Sequence, residues 1–394
     1  MKNRICFVVQ RYGTEVNGGA ELHCRQLAEH MKKYYQHIDV LTSKAIDYMT
    51  WKDEYKADRE NINGINVIRF SVEHERKMNE FNSINQLLYD GTLPRDREEE
   101  WVDKQGPALP TLINYLKEYK NEYDAFIFFT YLYYPTVMGV KEVADKAIVI
   151  PTAHDEPFLR MKIYENVFLR PKAFFYNTEE ERKLINGKYN NGHIRSELGG
   201  VGVDLPKSIN PVRFKEKYGL DNFLLYVGRI DEGKNCHQLF KYFEEYKKRN
   251  KSDVKLVLMG KAVIEIPRSK DIVSLGFVDD QDKFDGIAAA EILVLPSRFE
   301  SLSMVVLEAM SVNTMVLVNG ECEVLKGHCT KSNGALYYMN YFEFEGCLNY
   351  CLNNIEQVDM MKENARLYVD ENYQWDVIVK RLRGLINYVC NEKR

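Results

Sequence analysis

The chain predicts an α/β protein of two doubly wound domains, each a parallel sheet covered by helices. Three observations predict this. At 394 residues it exceeds one ordinary domain and suits two of roughly 150–200 residues. Short, continuously apolar segments rich in Val, Ile and Phe recur, as strands buried on both faces do. These segments alternate with amphipathic helical stretches, and the alternation runs twice, broken near residue 205.

In the first half the predicted strands are Arg4–Gln10, His37–Thr42, Ile65–Ser71, Asp124–Thr130, Ala147–Ala153 and Ala173–Asn177. Ala20–Tyr35 and Leu109–Glu122 carry helical spacing between them. Glu73–Gly106 breaks the rhythm, with a turn signal at Gly91–Asp96 and the acidic run Glu98–Glu100. It is read as a solvated helical insertion, with a lid over an acceptor as the functional alternative. Asp204–Val212 has a proline near each end and reads as a linker. Strands then resume at Phe223–Gly228, Val254–Gly260, Ile272–Phe277, Ile292–Pro296 and Met315–Val318. Helices are expected at Asn235–Arg249, Lys283–Ala290 and Ser303–Val312. The tail Tyr373–Cys390 places Val377, Ile378, Leu382, Leu385, Ile386 and Val389 on one helical face. The expected domains are therefore 1–204 and 205–372, with 373–394 a helix returning to the first.

Composition excludes several classes. Hydrophobic residues at 45% and charged residues at 28% are the balance of a globular chain, not a disordered one. No apolar run approaches the ~20 residues that span a bilayer. The opening segment reads as a first strand rather than a secretory leader. Lys and Arg number 28 against 30 Asp and Glu in the first 200 residues, so neither half is a basic nucleic-acid-binding domain. The eight cysteines include no CxxC pair, which favours reduced thiols over a disulfide framework or a zinc site.

Ligands of such sheets bind beyond the carboxyl ends of the strands, and three loops there carry chemistry. After the first strand, Asn17-Gly18-Gly19 precedes a helix. Glycines there let backbone approach a phosphate, and the helix N-terminus supplies N–H groups. A plain turn would explain them equally. The segment YVGRIDEGKN places Arg229 and Lys234 between a strand end and a helix start, a candidate anion site or an ordinary solvated pair. The segment PSRFESLSMVVLE offers Glu300, the backbone of Ser301, Leu302 and Ser303, and Glu308. Glu308 lies in an otherwise apolar helix, and a buried carboxylate without a partner costs several kcal/mol. It therefore has either a partner or a ligand.

GGAE after the first strand, YVGRIDEGK, and two glutamates eight residues apart in ESLSMVVLE resemble the retaining glycosyltransferase family 4 of GT-B fold. PTAHDEPFL, NTEEERKLI and the tail helix with Trp375 resemble bacterial members of it. The resemblance implies two Rossmann-like domains facing a central cleft, with the last helix crossing back to the first domain. It implies that Gly18 and Gly19 approach a donor diphosphate and that Arg229 and Lys234 neutralise it. Glu308 would hold the ribose hydroxyls, and Glu300 the transferred sugar, near the amides of Ser301, Leu302 and Ser303. The base would lie against backbone near Phe277 and Val278. His154 would sit near the sugar or the attacking hydroxyl; read from the residues alone, it is a structural histidine bonded to Asp155 or Glu156.

The chain departs from the family pattern where Ser303 and Asn235 stand in place of glycines. Asp280-Gln281-Asp282 matches the acidic triplet of metal-dependent sugar transferases, but it precedes a helix that it would cap, so no metal is expected. Tyr131, Tyr133, Tyr134 and Pro135 follow a strand end as core or hinge residues, or as a sugar-stacking platform.

The implied activity is metal-independent, retaining transfer of a hexose, without a cofactor, from a nucleoside diphosphate sugar to a saccharide or lipid-linked acceptor. The implied setting is bacterial surface-polysaccharide or glycolipid assembly in the cytoplasm. There would be no nucleic-acid partner, and contact with the inner membrane face would be peripheral. Sugar-nucleotide epimerisation or hydrolysis on the same fold is the enzymatic alternative. A nucleotide-sugar-binding subunit without activity is the other.

Overall fold

The computed structural model describes residues 3–16 and 18–391; Asn17, expected to end the first phosphate-facing loop, lies outside the described residues. The chain divides into two compact units: 1–201 with 375–394, and 202–374.

The strands of the first unit are β1 (Arg4–Val8), β2 (His37–Ser43), β3 (Arg59–Ile62), β4 (Ile65–Phe70), β5 (Ala125–Phe129), β6 (Ala147–Ile150), β7 (Ala173–Tyr176) and β8 (Arg195–Leu198). They form one sheet in the order β3-β4-β2-β1-β5-β6-β7-β8. All pairings are parallel except β3 with β4. The expected strands are present, with ends trimmed where the chain turns into loops.

Two strands of this sheet, β3 and β8, lie outside the segments that the sequence pattern predicts. β3 joins β4 through Asn63-Gly64, both at positive φ, so Ile62 pairs directly with Ile65. Asn-Gly is the sequence signal of that tight hairpin. β8 is the polar segment Arg-Ser-Glu-Leu at the sheet edge and has no apolar run to betray it.

The insertion is helical and exposed along its outer face, as expected, but it also packs inward. Helices Met78–Tyr89 and Glu98–Gln105 pack into the core of the first unit, with Ile84, Trp101 and Val102 buried. Even Glu98 is buried and accepts the Ile163 N–H at 2.7 Å. The charged composition concealed one apolar face per helix. The tail helix Trp375–Asn391 packs on the first unit against β7, β8 and helix Gly19–Met31. Its buried face runs through Trp375, Ile378, Val379, Leu382, Leu385, Ile386 and Val389; Val379 takes the place expected for Val377, which is half-buried.

The strands of the second unit are β9 (Phe223–Val227), β10 (Lys255–Met259), β11 (Ile272–Gly276), β12 (Ile292–Leu295), β13 (Met315–Asn319) and β14 (Leu336–Tyr338). They form an all-parallel sheet in the order β11-β10-β9-β12-β13-β14. The strand order reverses between β9 and β12, and at such a switch point the loops leaving the two strands part to leave a crevice. The loops with Arg229 and Lys234 and with Glu300–Ser303 leave these two strands. All eight cysteines are free thiols.

Candidate functional site

The loop after β9 is built on glycine. Gly228 has φ 147°, and a Cβ at Gly260, at the end of β10, would come within 1.9 Å of the Gly228 carbonyl oxygen. Only bare backbone lets these strand ends approach so closely. Asp231, buried in this loop, was not singled out from sequence, yet it organises the cations. One carboxylate oxygen accepts from Arg229 Nε, and the other accepts the Lys234 backbone N–H at 2.7 Å. Asn235 follows with φ 59°, which explains why glycine suits this position and why asparagine can replace it. Its amide nitrogen donates to the Pro296 carbonyl at 3.1 Å, tying this loop to the end of β12.

That tie brings together groups 66 residues apart. Lys234 Nζ lies 2.7 Å from Glu300 Oε1, the lysine side chain 33% exposed and the glutamate 13%. Three residues on, Ser303 takes φ 70° at the residue before helix Met304–Ser311, with no side-chain cap bond. This is the second glycine-preferring position, and its conformation gives the reason. The Ser303 hydroxyl is buried with no hydrogen-bond partner among the described residues. Cationic side chains, a carboxylate and a helix N-terminus thus share one edge of the sheet, a set suited to a phosphorylated, hydroxylated ligand.

Glu308, further along that helix, has a partner that the sequence did not reveal. Lys283 Nζ lies 2.9 Å from its Oε1 and 3.4 Å from Asp280. Burial opposes the Lys283 charge, but Glu308 and Asp280 outweigh it and the lysine pKa is raised. At the end of β11, Gly276 turns at φ 68° and leads to Phe277, 76% exposed, and the half-buried Val278. The acidic triplet opens helix Asp280–Ala289, which is capped by Asp279 accepting the Asp282 N–H at 2.8 Å. Asp282 itself is held by Lys217 at 2.5 Å and by the Tyr218 hydroxyl at 2.7 Å. No cluster suited to holding a metal ion occurs among the described residues.

In the first unit, Gly18 is extended and precedes helix Gly19–Met31. A Cβ on Gly18 would fall 2.2 Å from Glu21 Oε2, whereas one on Gly19 would meet open space. Glu21 is buried and accepts from Gln10 at 3.0 Å and from Arg11 at 2.6 Å. The first glycine therefore makes room for a buried ion pair beneath the loop, and the second presents unobstructed backbone. Glu21 belongs to the GGAE motif, so its place there gave the signal.

His154 follows β6, with Nδ1 3.4 Å from Glu156 Oε2. Glu156 also accepts a hydrogen bond from the hydroxyl of the buried Tyr131, and burial raises its pKa while His154 draws it down. One residue before His154, the Ala153 N–H donates to Glu181 at 2.6 Å, and Asn177 donates to the other oxygen of that carboxylate. Glu181, in NTEEERKLI, thus clamps the His154 loop to the end of β7.

The structure therefore gathers Arg229, Lys234, Glu300 and Ser301–Ser303 at one switch point of the second unit. Glu308 and Val278 belong to the same unit, while Gly18, Gly19 and His154 belong to the first.

Residues 210–368 match the family model of glycosyl transferases group 1. The chain is 24% identical to an uncharacterized glycosyltransferase of Methanocaldococcus jannaschii, covering 96% of each protein. It is 31% identical to a Campylobacter jejuni N-acetylgalactosamine-N,N'-diacetylbacillosaminyl-diphospho-undecaprenol 4-alpha-N-acetylgalactosaminyltransferase, over 25% of this chain and 27% of that protein. Among solved structures, Anabaena HepE in complex with UDP superposes with a TM-score of 0.72 at 15% identity, covering 98% of this chain and all of that one. The fold is GT-B: two parallel-sheet domains and a C-terminal helix.

Proposed function

We propose that this chain is a retaining glycosyltransferase of family 4, moving a sugar from a nucleoside diphosphate sugar to a hydroxyl of a saccharide or lipid-linked acceptor. The observation that carries the reading is the meeting of Lys234 with Glu300 at 2.7 Å, beside Arg229 and the start of helix Met304–Ser311. The match of residues 210–368 to glycosyl transferases group 1 supports it.

In this reading Arg229 and Lys234 neutralise the donor diphosphate, and the amides of Ser301–Ser303 face it. A diphosphate carries more charge than one carboxylate, so it draws Lys234 from Glu300 and frees Glu300 for hydroxyls of the transferred sugar. Glu308 accepts from the ribose hydroxyls, and the base rests near Phe277 and Val278. Gly18, Gly19 and His154 act from the first unit. The acceptor attacks from the face the diphosphate leaves, through an oxocarbenium-like state, and the departing phosphate oxygen takes its proton. Charge on the leaving group is stabilised by side chains and helix ends, which is the larger part of such catalysis. Arg229 and Lys234 fill the part a divalent cation plays elsewhere, and Asp282 is already occupied by Lys217 and Tyr218.

No helix among the described residues is long and apolar enough to cross a membrane. A cytoplasmic enzyme of bacterial surface-polysaccharide or glycolipid assembly, touching the inner membrane face peripherally, fits this reading. The undecaprenol-linked substrate named for the Campylobacter relative supports a lipid-linked acceptor.

The test is incubation with a panel of nucleoside diphosphate sugars and with saccharide or lipid-linked acceptors, with and without chelator. The product's anomeric configuration is read by NMR. Retained configuration with activity surviving the chelator is expected. An inverted product, or chelator-abolished activity restored by manganese, overturns the corresponding part. An epimer or free sugar formed without acceptor favours the other chemistries, and donor binding without turnover favours a binding subunit.

A further inference from the structure

His328 lies in helix Glu323–Ser332 and is 1% exposed, yet it reaches the loop that precedes helix Met304–Ser311. Its Nε2 is 2.7 Å from the Leu302 carbonyl oxygen, its Nδ1 is 3.0 Å from the Tyr368 hydroxyl, and that hydroxyl is 3.1 Å from the hydroxyl of Tyr373. A carbonyl oxygen can only accept, so Nε2 must carry a proton. With one proton on the ring, Nδ1 accepts, and Tyr368 donates to it. Tyr368 has then spent its proton, so Tyr373 donates to Tyr368. In the neutral ring, the acceptor at one end orients every proton in the chain.

The consequence falls on one peptide plane. In a trans peptide the carbonyl and the following N–H point in opposite directions. The Leu302 carbonyl is turned inward to a buried imidazole, so the Ser303 N–H is turned outward at the head of the helix. Ser303 sits at φ 70°, where L-residues are strained, and its own hydroxyl is buried without a partner among the described residues. The Ser303 hydroxyl makes no bond that holds this conformation, whereas His328 bonds the peptide that leads into it.

We propose that His328, oriented by Tyr368 and Tyr373, is a positioning residue that aims the Ser303 N–H at the donor diphosphate. This rests on the reading that the Ser301–Ser303 backbone faces that diphosphate.

The test uses the full chain and calorimetric affinity for UDP, GDP, ADP and dTDP and for the matching nucleosides. His328→Leu removes the donor. His328→Asn moves the amide toward the Nδ1 position, and His328→Gln keeps an N–H near Nε2. His328→Leu and His328→Asn are expected to weaken the preferred diphosphate about tenfold, one charge-assisted hydrogen bond's worth, while the nucleoside changes less than about twofold. His328→Gln should recover most of the loss. Nitrogen-15 NMR of the wild-type ring should show the Nε2–H tautomer, a readout that stands even if the leucine variant does not fold. Equal losses for glutamine and leucine, unchanged diphosphate affinity in the leucine variant, or an Nδ1–H tautomer overturn the proposal. If the wild-type chain binds no nucleoside diphosphate while its ring shows the expected tautomer, the donor-site reading itself fails and the proposal falls with it.

Discussion

Glu308→Gln separates two parts that one carboxylate can play: partner of Lys283, or holder of a ribose. The pair spans 2.9 Å, with side chains 12% and 18% exposed, so solvent screens it little. Glutamine keeps an acceptor for Lys283 but loses the charge. A charged hydrogen bond contributes ~1.5–3 kcal/mol and a neutral one ~0.5–1.5, so the exchange costs about 1–1.5 kcal/mol. Asp280 softens this only slightly, because it stands 3.4 Å from the same ammonium and its side chain is 89% exposed. For a unit of this size the loss lowers Tm by about 2–6 °C. If the carboxylate also accepts the ribose hydroxyls, nucleoside affinity falls by about tenfold for each charged bond weakened. Lys283→Met breaks the same pair without touching the ribose contacts. It should therefore lower Tm and leave nucleoside affinity unchanged or improved. Scanning calorimetry and titration calorimetry on both variants and the double variant read the two effects apart. A lowered Tm with unaltered nucleoside affinity in Glu308→Gln would show that the carboxylate serves only Lys283, and the ribose role would be withdrawn.

Arg229→Ala and Lys234→Ala should each weaken nucleoside diphosphate binding by about 1.5–3 kcal/mol and leave the nucleoside nearly untouched, as titration calorimetry would register; equal losses for both ligands would remove them from the phosphate. His154→Ala should reduce turnover with little change in nucleotide affinity, and full activity would leave the histidine with Glu156 as a structural pair. His23, buried on helix Gly19–Met31 edge-on to Phe129, is pushed down to about 4 by burial, against the pull of the Gly200 backbone. The unfolded chain takes up this proton near 6.5 and the folded one near 4. Stability is therefore whole above about pH 6.5 and declines, by up to about 3 kcal/mol, as pH falls through that window. Urea unfolding from pH 7 to 4 should show a shallower decline for His23→Gln; an identical slope would count against the assignment.

Much of this protein was legible in the order of its residues. Segments such as Phe126–Phe129 and Leu293–Leu295 are apolar on both faces because central parallel strands are covered on both, and no other element tolerates that pattern for so few residues. A parallel sheet also sends every carboxyl end to the same edge. Arg229, Lys234 and Glu300 could therefore be assigned to one site from their places after β9 and β12, before any contact was known. Edge and packing features were not legible in this way. β8 and β14 pair on one side only, β8 without an apolar run and β14 only three residues long, and Trp101 is buried by neighbours that its acidic surroundings do not announce. Side-chain partners belong wholly to the tertiary structure. Arg11 on Glu21, Lys283 on Glu308 and His328 behind Leu302 are each chosen by which loop or helix comes to lie against which. Pattern along the chain records whether a residue is to be buried; only the packed neighbours decide which atom satisfies the polar group that burial leaves behind.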